Sequence, residues 1–234
     1  MNSTRDWAAN APNSSPAYKS TALRAPQQAP IAIAHGPSER SRPRIDAVPT
    51  DPYDADLTKN AARDGAPLGE RIIVSGKITD DRGRAQSGLL IEIWQANAAG
   101  RYIDGADQHD APLDPNFLGA GRCISDAEGR YQFTTVKPGA YPWGNHHNGW
   151  RPAHIHFSLL GGGFASRLIT QMYFPGDPLL ALDPIFAAVP TDAQSRLVAN
   201  FSLDVTCPMQ ALGYQFDMVL AGPQETPRDD ADGR

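Results

Sequence analysis

The sequence contains little cysteine, no long apolar run and no cluster of basic residues. Its 234 residues include two cysteines, Cys123 and Cys207, which are too few and too far apart for a disulfide framework or a thiolate metal cluster. No stretch approaches the roughly 20 apolar residues that a membrane-spanning helix needs, and the N-terminus lacks a basic start followed by an apolar segment. We therefore expect a soluble, cytoplasmic protein in which any metal is held by His, Tyr, Asp or Glu.

The charge of the chain argues against nucleic acid as a partner. The 21 Lys and Arg residues are outnumbered by 26 Asp and Glu residues, which gives a formal net charge of −5. No run of basic residues forms a local stripe that would attract a phosphate backbone. With 41% hydrophobic residues, the chain is long enough to bury one substantial core. We expect one folded domain that binds neither nucleic acid nor a membrane.

Composition divides the chain near residue 66. Residues 1–66 are rich in Pro, Ala, Ser and Gln and cannot fold around a core of their own. This segment is expected to be an extended tail that docks on the core or on a partner subunit. Residues 67–234 are expected to form the folded domain.

Alternating apolar residues predict strands throughout that domain. The runs with an apolar residue at every second position are Ile72 to Ile78, Leu89 to Ile93, Tyr131 to Thr135, Ile155 to Leu159, Arg167 to Phe174 and Tyr214 to Leu220. Six or more such strands predict an all-β protein, a two-sheet β-sandwich with long loops. Gly161, Gly162 and Gly163 supply a hairpin connection, and the capping-box spacing of Thr191 and Gln194 predicts one short helix.

The strongest local pattern is the segment Trp150–Phe157, which contains His154 and His156. If residues 153–159 form a strand, the two imidazoles point to the same face, about 7 Å apart along the strand. Two imidazoles on one face can chelate a metal. The same pattern also occurs as a pair of hydrogen-bonded histidines that bind no metal.

Arg151 lies beside this pair in the sequence. A permanently charged guanidinium raises the cost of protonating nearby histidines and so favours neutral, ligating imidazoles. The same charge would stabilise an anionic substrate. A surface salt bridge is the ordinary alternative.

Tyrosines are better candidates than carboxylates for the other metal ligands. Asp and Glu are absent near the two histidines, so a ferrous site with two histidines and one carboxylate would need a distant acid. Tyr102 and Tyr141 lie in segments rich in Gly and Pro, which predict loops. Two anionic phenolates suit ferric iron, although either tyrosine alone also fits an ordinary packing role.

Four segments, in this order, resemble the signature segments of the intradiol ring-cleavage dioxygenase family: Gly100–Tyr102, Asp114–Phe117, Lys137–Trp143 and Trp150–Phe157. The resemblance covers the chain from about Tyr18 to about Leu220 and is strongest to the iron-bearing β subunits of the branch that cleaves protocatechuate. It implies a β-sandwich that holds ferric iron, Fe(III), on Tyr102, Tyr141, His154 and His156. It also implies that substrate displaces Tyr141.

The resemblance assigns further roles around the metal. Arg151 and Gln171 match residues that steady the charged substrate, and Tyr18, Trp94 and Trp143 match residues that line the pocket. The implied reaction is cleavage of a 4-substituted catechol with O2, from protocatechuate to 3-carboxy-cis,cis-muconate, in aromatic catabolism. The implied partner is a homologous α subunit in a hetero-oligomer. Family members that instead form homodimers have a helical N-terminal segment, and no helical periodicity occurs in residues 1–66.

Gly144 departs from the family pattern. Protocatechuate-cleaving enzymes usually have arginine at this position, whereas here Pro142-Trp143-Gly144-Asn145 is followed by His146 and His147. A roomier site would admit another substituent, such as the sulfonate of 4-sulfocatechol, with His146 or His147 as donor. The two histidines can also belong to a solvated loop.

Two other classes of protein stay open: a ferrous extradiol enzyme with a carboxylate ligand, and a non-catalytic transthyretin-like binding sandwich.

Overall fold

Strands dominate the structure, a computed structural model that describes residues 7–12, 15, 17–19, 28, 51, 53–61, 63–147, 149–160 and 168–229. In chain order the strands are β1 (Arg71–Thr79), β2 (Leu90–Trp94), β3 (Ala120–Ile124), β4 (Arg130–Val136), β5 (Tyr141–Trp143), β6 (Gly149–Arg151), β7 (His154–Leu160), β8 (Leu168–Tyr173), β9 (Asn200–Phe201), β10 (Leu212–Gln215) and β11 (Met218–Val219). They form a five-stranded sheet, a four-stranded sheet and a two-stranded hairpin.

The first sheet is built around β1. This strand pairs antiparallel with β4 and parallel with both β10 and β11, while β9 adds to β10. The run predicted as one strand from Tyr214 to Leu220 is therefore two short strands. Phe216 lies between them, and a side chain at Gly76 of β1 would collide with its carbonyl oxygen. Glycine at this position lets the two backbones approach each other where the pairing changes.

The second sheet has the order β3-β2-β7-β8, and all its neighbours are antiparallel. Its register places Trp94 opposite His156 on one side, and Gln171 opposite His156 on the other. Tyr173 lies opposite His154. Because paired residues in antiparallel strands project to the same face, the sheet collects these five polar or aromatic side chains in one patch.

The core lies between the two sheets. Ile72 and Val74 of β1 share one buried cluster with Ile155, Phe157 and Leu159 of β7. Each fully buried side chain of this size contributes about 1.5–3 kcal/mol of hydrophobic free energy. The period-two pattern thus identified the inward faces correctly, and the predicted two-sheet β-sandwich is confirmed.

The α-helices of the described residues are short and follow β8. The α-helices are α1 (Pro184–Ala188) and α2 (Thr191–Gln194), and 3-10 turns occur at Trp7–Ala9, Leu180–Leu182 and Ser195–Leu197. The predicted helix is α2, but its predicted capping box is wrong: Pro190 is the N-cap and makes no side-chain cap bond. The expectation of a single helix missed α1, which Asp183 caps by accepting a hydrogen bond from the Ile185 amide.

Described parts of the N-terminal region contact the sandwich. Leu57 is fully buried in the main core cluster, and its amide donates to the Thr134 carbonyl at 2.9 Å. The division of the chain at residue 66 stays a prediction.

The predicted hairpin at residues 161–163 lies outside the described residues, between β7 and β8. Within the described ranges, no helix is long and apolar enough to cross a bilayer.

Candidate metal centre

Strand β7 places His154 and His156 on the face opposite the core. Both side chains are buried, and their ring centroids are 4.8 Å apart. The two Nε2 atoms approach to 3.2 Å. The sequence prediction that these two imidazoles share one face is therefore matched by the geometry.

Acceptors next to both rings fix their tautomers. His154 Nδ1 donates to the Pro152 carbonyl at 2.7 Å, and His156 Nδ1 lies 3.4 Å from Asp229 Oδ2. Since a carbonyl and a carboxylate only accept, each Nδ1 carries the proton and each Nε2 presents a lone pair. Two facing lone pairs repel unless a cation lies between them. If each of two nitrogen atoms lies about 2.1 Å from the same ion and the angle between the two bonds is a right angle, the nitrogens are about 3 Å apart. This value matches the observed Nε2 separation.

Tyr141 brings a phenol to this pair. Its Oη lies 3.3 Å from His154 Nε2. The prediction of a loop for Tyr141 is wrong, because the residue begins β5 and pairs with Arg151 of β6. The Pro and Gly signals that suggested a loop are compatible with a short two-stranded hairpin, where Pro142 is tolerated because this ribbon consists only of edge strands. The hairpin fixes Tyr141 beside Arg151.

Tyr102 comes from a loop, as predicted. Its ring lies 5.4 Å from that of Tyr141 and 6.4 Å from that of His156. Its amide donates to Asp107 Oδ2 at 2.8 Å. Gly100 has a φ of +81°, and a side chain there would collide with the Ala140 carbonyl. Glycine therefore lets the Tyr102 loop pass directly over the segment that leads to Tyr141.

These four side chains fit a hard trivalent metal. Two imidazoles supply neutral nitrogens and two phenols supply oxygens that become anionic on binding, a donor set that suits ferric iron. Burial, followed by the nearby charge of Arg151, holds the pKa of His154 well below its usual range. The ring is therefore neutral and available as a ligand at neutral pH.

Arg151 is buried at the side of the cluster. Its Nη2 donates to Gln171 Oε1 and, at 3.1 Å, to Tyr173 Oη, and its Nε lies 3.0 Å from Asp183 Oδ1. Burial disfavours the charged form, but the fields of Tyr173 and Asp183 outweigh burial and raise the pKa of Arg151 well above its usual value. A permanent, rigidly held cation thus lies next to the candidate metal ligands. It is not the surface salt bridge that the sequence left open.

The aromatic residues predicted to line a pocket surround the cluster. Trp94 stacks on His156 with ring centroids 4.9 Å apart and planes 5° from parallel. Trp143 lies 5.9 Å from the Arg151 guanidinium and meets Tyr18 edge-on at 4.9 Å. Tyr18 Oη donates to a backbone carbonyl at the start of α1, at 3.0 Å. Burial, followed by the charge of Asp183, raises the pKa of Tyr18 to about 12. Tyr18 is therefore a neutral phenol.

The segment with the unusual glycine is only partly drawn into the site. His146 is half-buried, with its ring parallel to Trp143 at 6.2 Å. Gly144 is exposed, and its carbonyl accepts a hydrogen bond from Lys19 Nζ at 3.0 Å. His147 is exposed, and within the described part of the chain it makes none of the ring contacts of the cluster.

Sequence reasoning missed three site residues: Tyr173, Asp183 and Asp229. Tyr173 is two positions after Gln171 on β8, so strand alternation was a signal for it. Asp183 precedes Pro184, which is the sequence signature of a helix N-cap. Asp229 has no local signal. Burial alone would raise the pKa of Asp229, but its contacts with His156 and Gln171 outweigh burial and lower it.

The geometry does not favour the ferrous alternative. Among the residues that the structure describes, no group of three or more His, Cys, Asp and Glu side chains is arranged to hold a metal ion. A site with two histidines and one carboxylate would require such a group. The carboxylate of Asp229 lies on the Nδ1 side of His156, whereas the Tyr141 oxygen lies 3.3 Å from the Nε2 atom of His154.

The fold and the cluster define a class of enzyme, and comparison with known proteins shows the same class. Residues 46–222 match the family model described as Dioxygenase, and residues 4–36 match the model described as Protocatechuate 3,4-dioxygenase beta subunit N terminal. The chain belongs to the intradiol ring-cleavage dioxygenase family. It is similar to the protocatechuate 3,4-dioxygenase beta chain of Burkholderia cepacia, with 57% identity over 223 residues that cover 95% of both chains.

Solved structures share the fold at lower identity. The 3-chlorocatechol 1,2-dioxygenase of Rhodococcus opacus aligns with a TM-score of 0.55 and 23% identity, covering 75% of this chain and 68% of its own. The hydroxyquinol 1,2-dioxygenase of Pseudomonas putida aligns with a TM-score of 0.53 and 22% identity, covering 90% of this chain and 70% of its own. The family match and the relative with 57% identity show that the chain is an enzyme of the intradiol ring-cleaving class, as predicted, and not a non-catalytic binding sandwich.

Proposed function

We propose that this chain is the iron-binding subunit of an enzyme that cleaves protocatechuate to 3-carboxy-cis,cis-muconate. Tyr102, Tyr141, His154 and His156 are the proposed ligands of ferric iron. The observation that carries this proposal is the convergence of two Nε2 lone pairs, 3.2 Å apart, with a phenol oxygen 3.3 Å from one of them. The relative with 57% identity is named for the same reaction.

Ferric iron, when bound, supplies a Lewis acid that draws electron density from a chelated catecholate, so that the aromatic ring itself reacts with O2. Tyr141 is the proposed base of the binding step: its phenolate oxygen accepts a proton from one substrate hydroxyl. The second substrate proton would pass to a solvent hydroxide at the site, so the dianionic substrate would take over the two negative charges that the Tyr141 phenolate and this hydroxide supply. This balance avoids an uncompensated charge in a buried pocket.

Arg151 and Gln171 are proposed to steady the negative charge that develops on the substrate ring. The guanidinium is held by Asp183, Tyr173 and Gln171 before substrate arrives. A cation that is already oriented stabilises a transition state without the cost of reorganisation. Trp94, which stacks on His156, and Trp143, which faces Arg151, are proposed to exclude water from the ring.

The surroundings of Gly144 support an anionic ring substituent. Lys19 places its ammonium on the Gly144 carbonyl, and the Lys19 amide donates to the Asn145 carbonyl at 2.8 Å. A cation from the tail thus lies in the segment where the family usually has arginine. This arrangement suits a carboxylate, as in protocatechuate, and also the sulfonate of 4-sulfocatechol. The name of the relative favours the carboxylate.

A homologous α subunit is the proposed partner, and aromatic catabolism in the cytoplasm the proposed setting. The partner rests on the relative, which is named as a beta chain, and on the match of residues 4–36 to a beta-subunit N-terminal model. The catabolic setting follows from the proposed reaction, which opens an aromatic ring. Cys123 and Cys207 are free thiols, which is compatible with a reducing compartment. The tail that contains Tyr18 is proposed to dock on the core or on the partner subunit.

Oxygen uptake by the co-expressed pair of subunits tests the proposed substrate. We expect kcat/KM for protocatechuate to exceed that for catechol by roughly 10- to 100-fold, because a charge-assisted hydrogen bond contributes about 1.5–3 kcal/mol. Lys19→Met should narrow this ratio and leave turnover of catechol unchanged. Faster turnover of 4-sulfocatechol, or of catechol, would contradict the substrate assignment. A ring opened beside the two hydroxyls, instead of between them, would contradict the reaction.

A further inference from the structure

Asp229 lies where two parts of the site meet. We infer that Asp229 is a positioning residue that orients both His156 and Gln171, so that the C-terminal segment Glu225–Asp229 completes the reaction site. This inference rests on the proposed function, because it assigns Asp229 a role toward a metal ligand and toward a residue that contacts substrate. The family model matched by the chain ends at residue 222, before this segment begins.

The segment is built into the second sheet. The Asp229 amide donates to the Ile169 carbonyl at 2.8 Å, and Thr170 Oγ1 donates to the Pro227 carbonyl at 2.7 Å. Ile169 and Thr170 belong to β8, which is the edge strand of this sheet. Thr226 is buried and exchanges hydrogen bonds with Val219, each at 2.9 Å. The segment therefore covers part of the sheet edge at β8 in one defined register.

One carboxylate oxygen contacts both functional side chains. Asp229 Oδ2 accepts a hydrogen bond from Gln171 Nε2 and lies 3.4 Å from His156 Nδ1. Asp229 is buried, as are both partners. A buried carboxylate between two N–H donors is a specific arrangement, because a charge in the interior is costly unless donors of this kind surround it.

These contacts determine what the two partners present to the site. A carboxylate only accepts, so His156 keeps its proton on Nδ1 and turns the Nε2 lone pair toward His154. For the same reason the Gln171 amide directs its nitrogen to Asp229 and its oxygen to Arg151, to which it is hydrogen-bonded. Asparagine at position 229 would offer one acceptor and one donor. Because both partners contact the same oxygen, Oδ2, they would share either the uncharged acceptor, with weaker hydrogen bonds, or the donor, which would turn both of them away.

The test compares Asp229→Asn with Asp229→Glu in the full complex. For Asp229→Asn we expect iron to transfer to an external chelator about 10 to 100 times faster than in the wild type, the effect that outer ligand-orienting groups usually have. The visible absorption band of the iron-loaded protein should shift, and kcat should fall more than KM changes. Asp229→Glu, which keeps the acceptor, should recover part of each effect.

Asp217→Asn is the matched control. Asp217 is an exposed carboxylate that accepts a hydrogen bond from the Lys77 amide at 2.8 Å, and its loss should leave chelation and spectrum as in the wild type. If the wild-type enzyme is coloured and active, and Asp229→Asn loses iron to the chelator at the same rate with the same spectrum, the inference about Asp229 is overturned and the proposed function stands. A wild-type protein that takes up no iron would instead overturn the proposed function. Equal effects in Asp229→Asn and Asp217→Asn would also contradict the positioning role.

Discussion

Replacement of His154 by alanine should leave a folded protein that holds almost no iron and turns over more than about 100-fold more slowly. Loss of an outer, ligand-orienting group costs about 10- to 100-fold in metal affinity or activity, and loss of a ligand should cost more. His154 is proposed as the central ligand, because its Nε2 lies 3.2 Å from His156 Nε2 and 3.3 Å from Tyr141 Oη. Iron content by atomic absorption and oxygen uptake measure the two effects.

Ile155→Val is the matched control on the same strand. Ile155 is fully buried on the opposite face, in the core between the sheets. Removal of one methylene should cost about 0.5–1.5 kcal/mol of stability while iron binding is retained. Full iron occupancy with normal turnover in His154→Ala would contradict the proposed ligand set.

Replacement of Asp183 should destabilise the protein strongly, although the residue is not a proposed ligand of metal or substrate. Asp183 is fully buried, and its Oδ1 lies 3.0 Å from Arg151 Nε. Removal of one partner of a buried ion pair leaves an uncompensated charge and typically costs 3–5 kcal/mol. We expect Asp183→Asn to lose about this much free energy of unfolding in urea titrations of the iron-free protein. Turnover should fall as well, because Arg151 loses one of its anchors.

Two further variants separate the contributions of Asp183. Asp183→Ala also removes the hydrogen bond accepted from the Ile185 amide at the start of α1, which should cost about 1 kcal/mol more, whereas asparagine preserves that cap. Asp192→Asn changes an exposed acid in the first turn of α2 and should shift stability by less than about 0.5 kcal/mol. A stability of Asp183→Asn within that margin of the wild type would contradict a structural role for the ion pair.

The architecture was predictable because it depends on patterns that are local in sequence. Every second residue of β7 lies in the core, so the period-two pattern alone was enough to place His154 and His156 on the opposite face. The split between β10 and β11 was not predictable in this way. It arises where the backbone of β1 at Gly76 meets Phe216, a contact between segments about 140 positions apart in the chain.

The ligand candidates were found by resemblance, and their surroundings only by structure. Pattern and spacing left a metal site on His154 and His156 as one of two interpretations. Tyr173, Asp183 and Asp229 became visible only when tertiary packing brought them to Arg151, Gln171 and His156. Their side chains serve buried hydrogen bonds and ion pairs, and such partners have no fixed separation in sequence.

The visible absorption spectrum of the iron-loaded wild-type protein tests most directly whether phenols and imidazoles share one ferric ion. We expect strong absorption in the visible range from phenolate-to-iron charge transfer, diminished in Tyr102→Phe because one of the two phenolates is lost. A ferric protein with full iron occupancy and no visible band, or a band that Tyr102→Phe leaves unchanged, would contradict the proposal that these phenols are ligands of the iron.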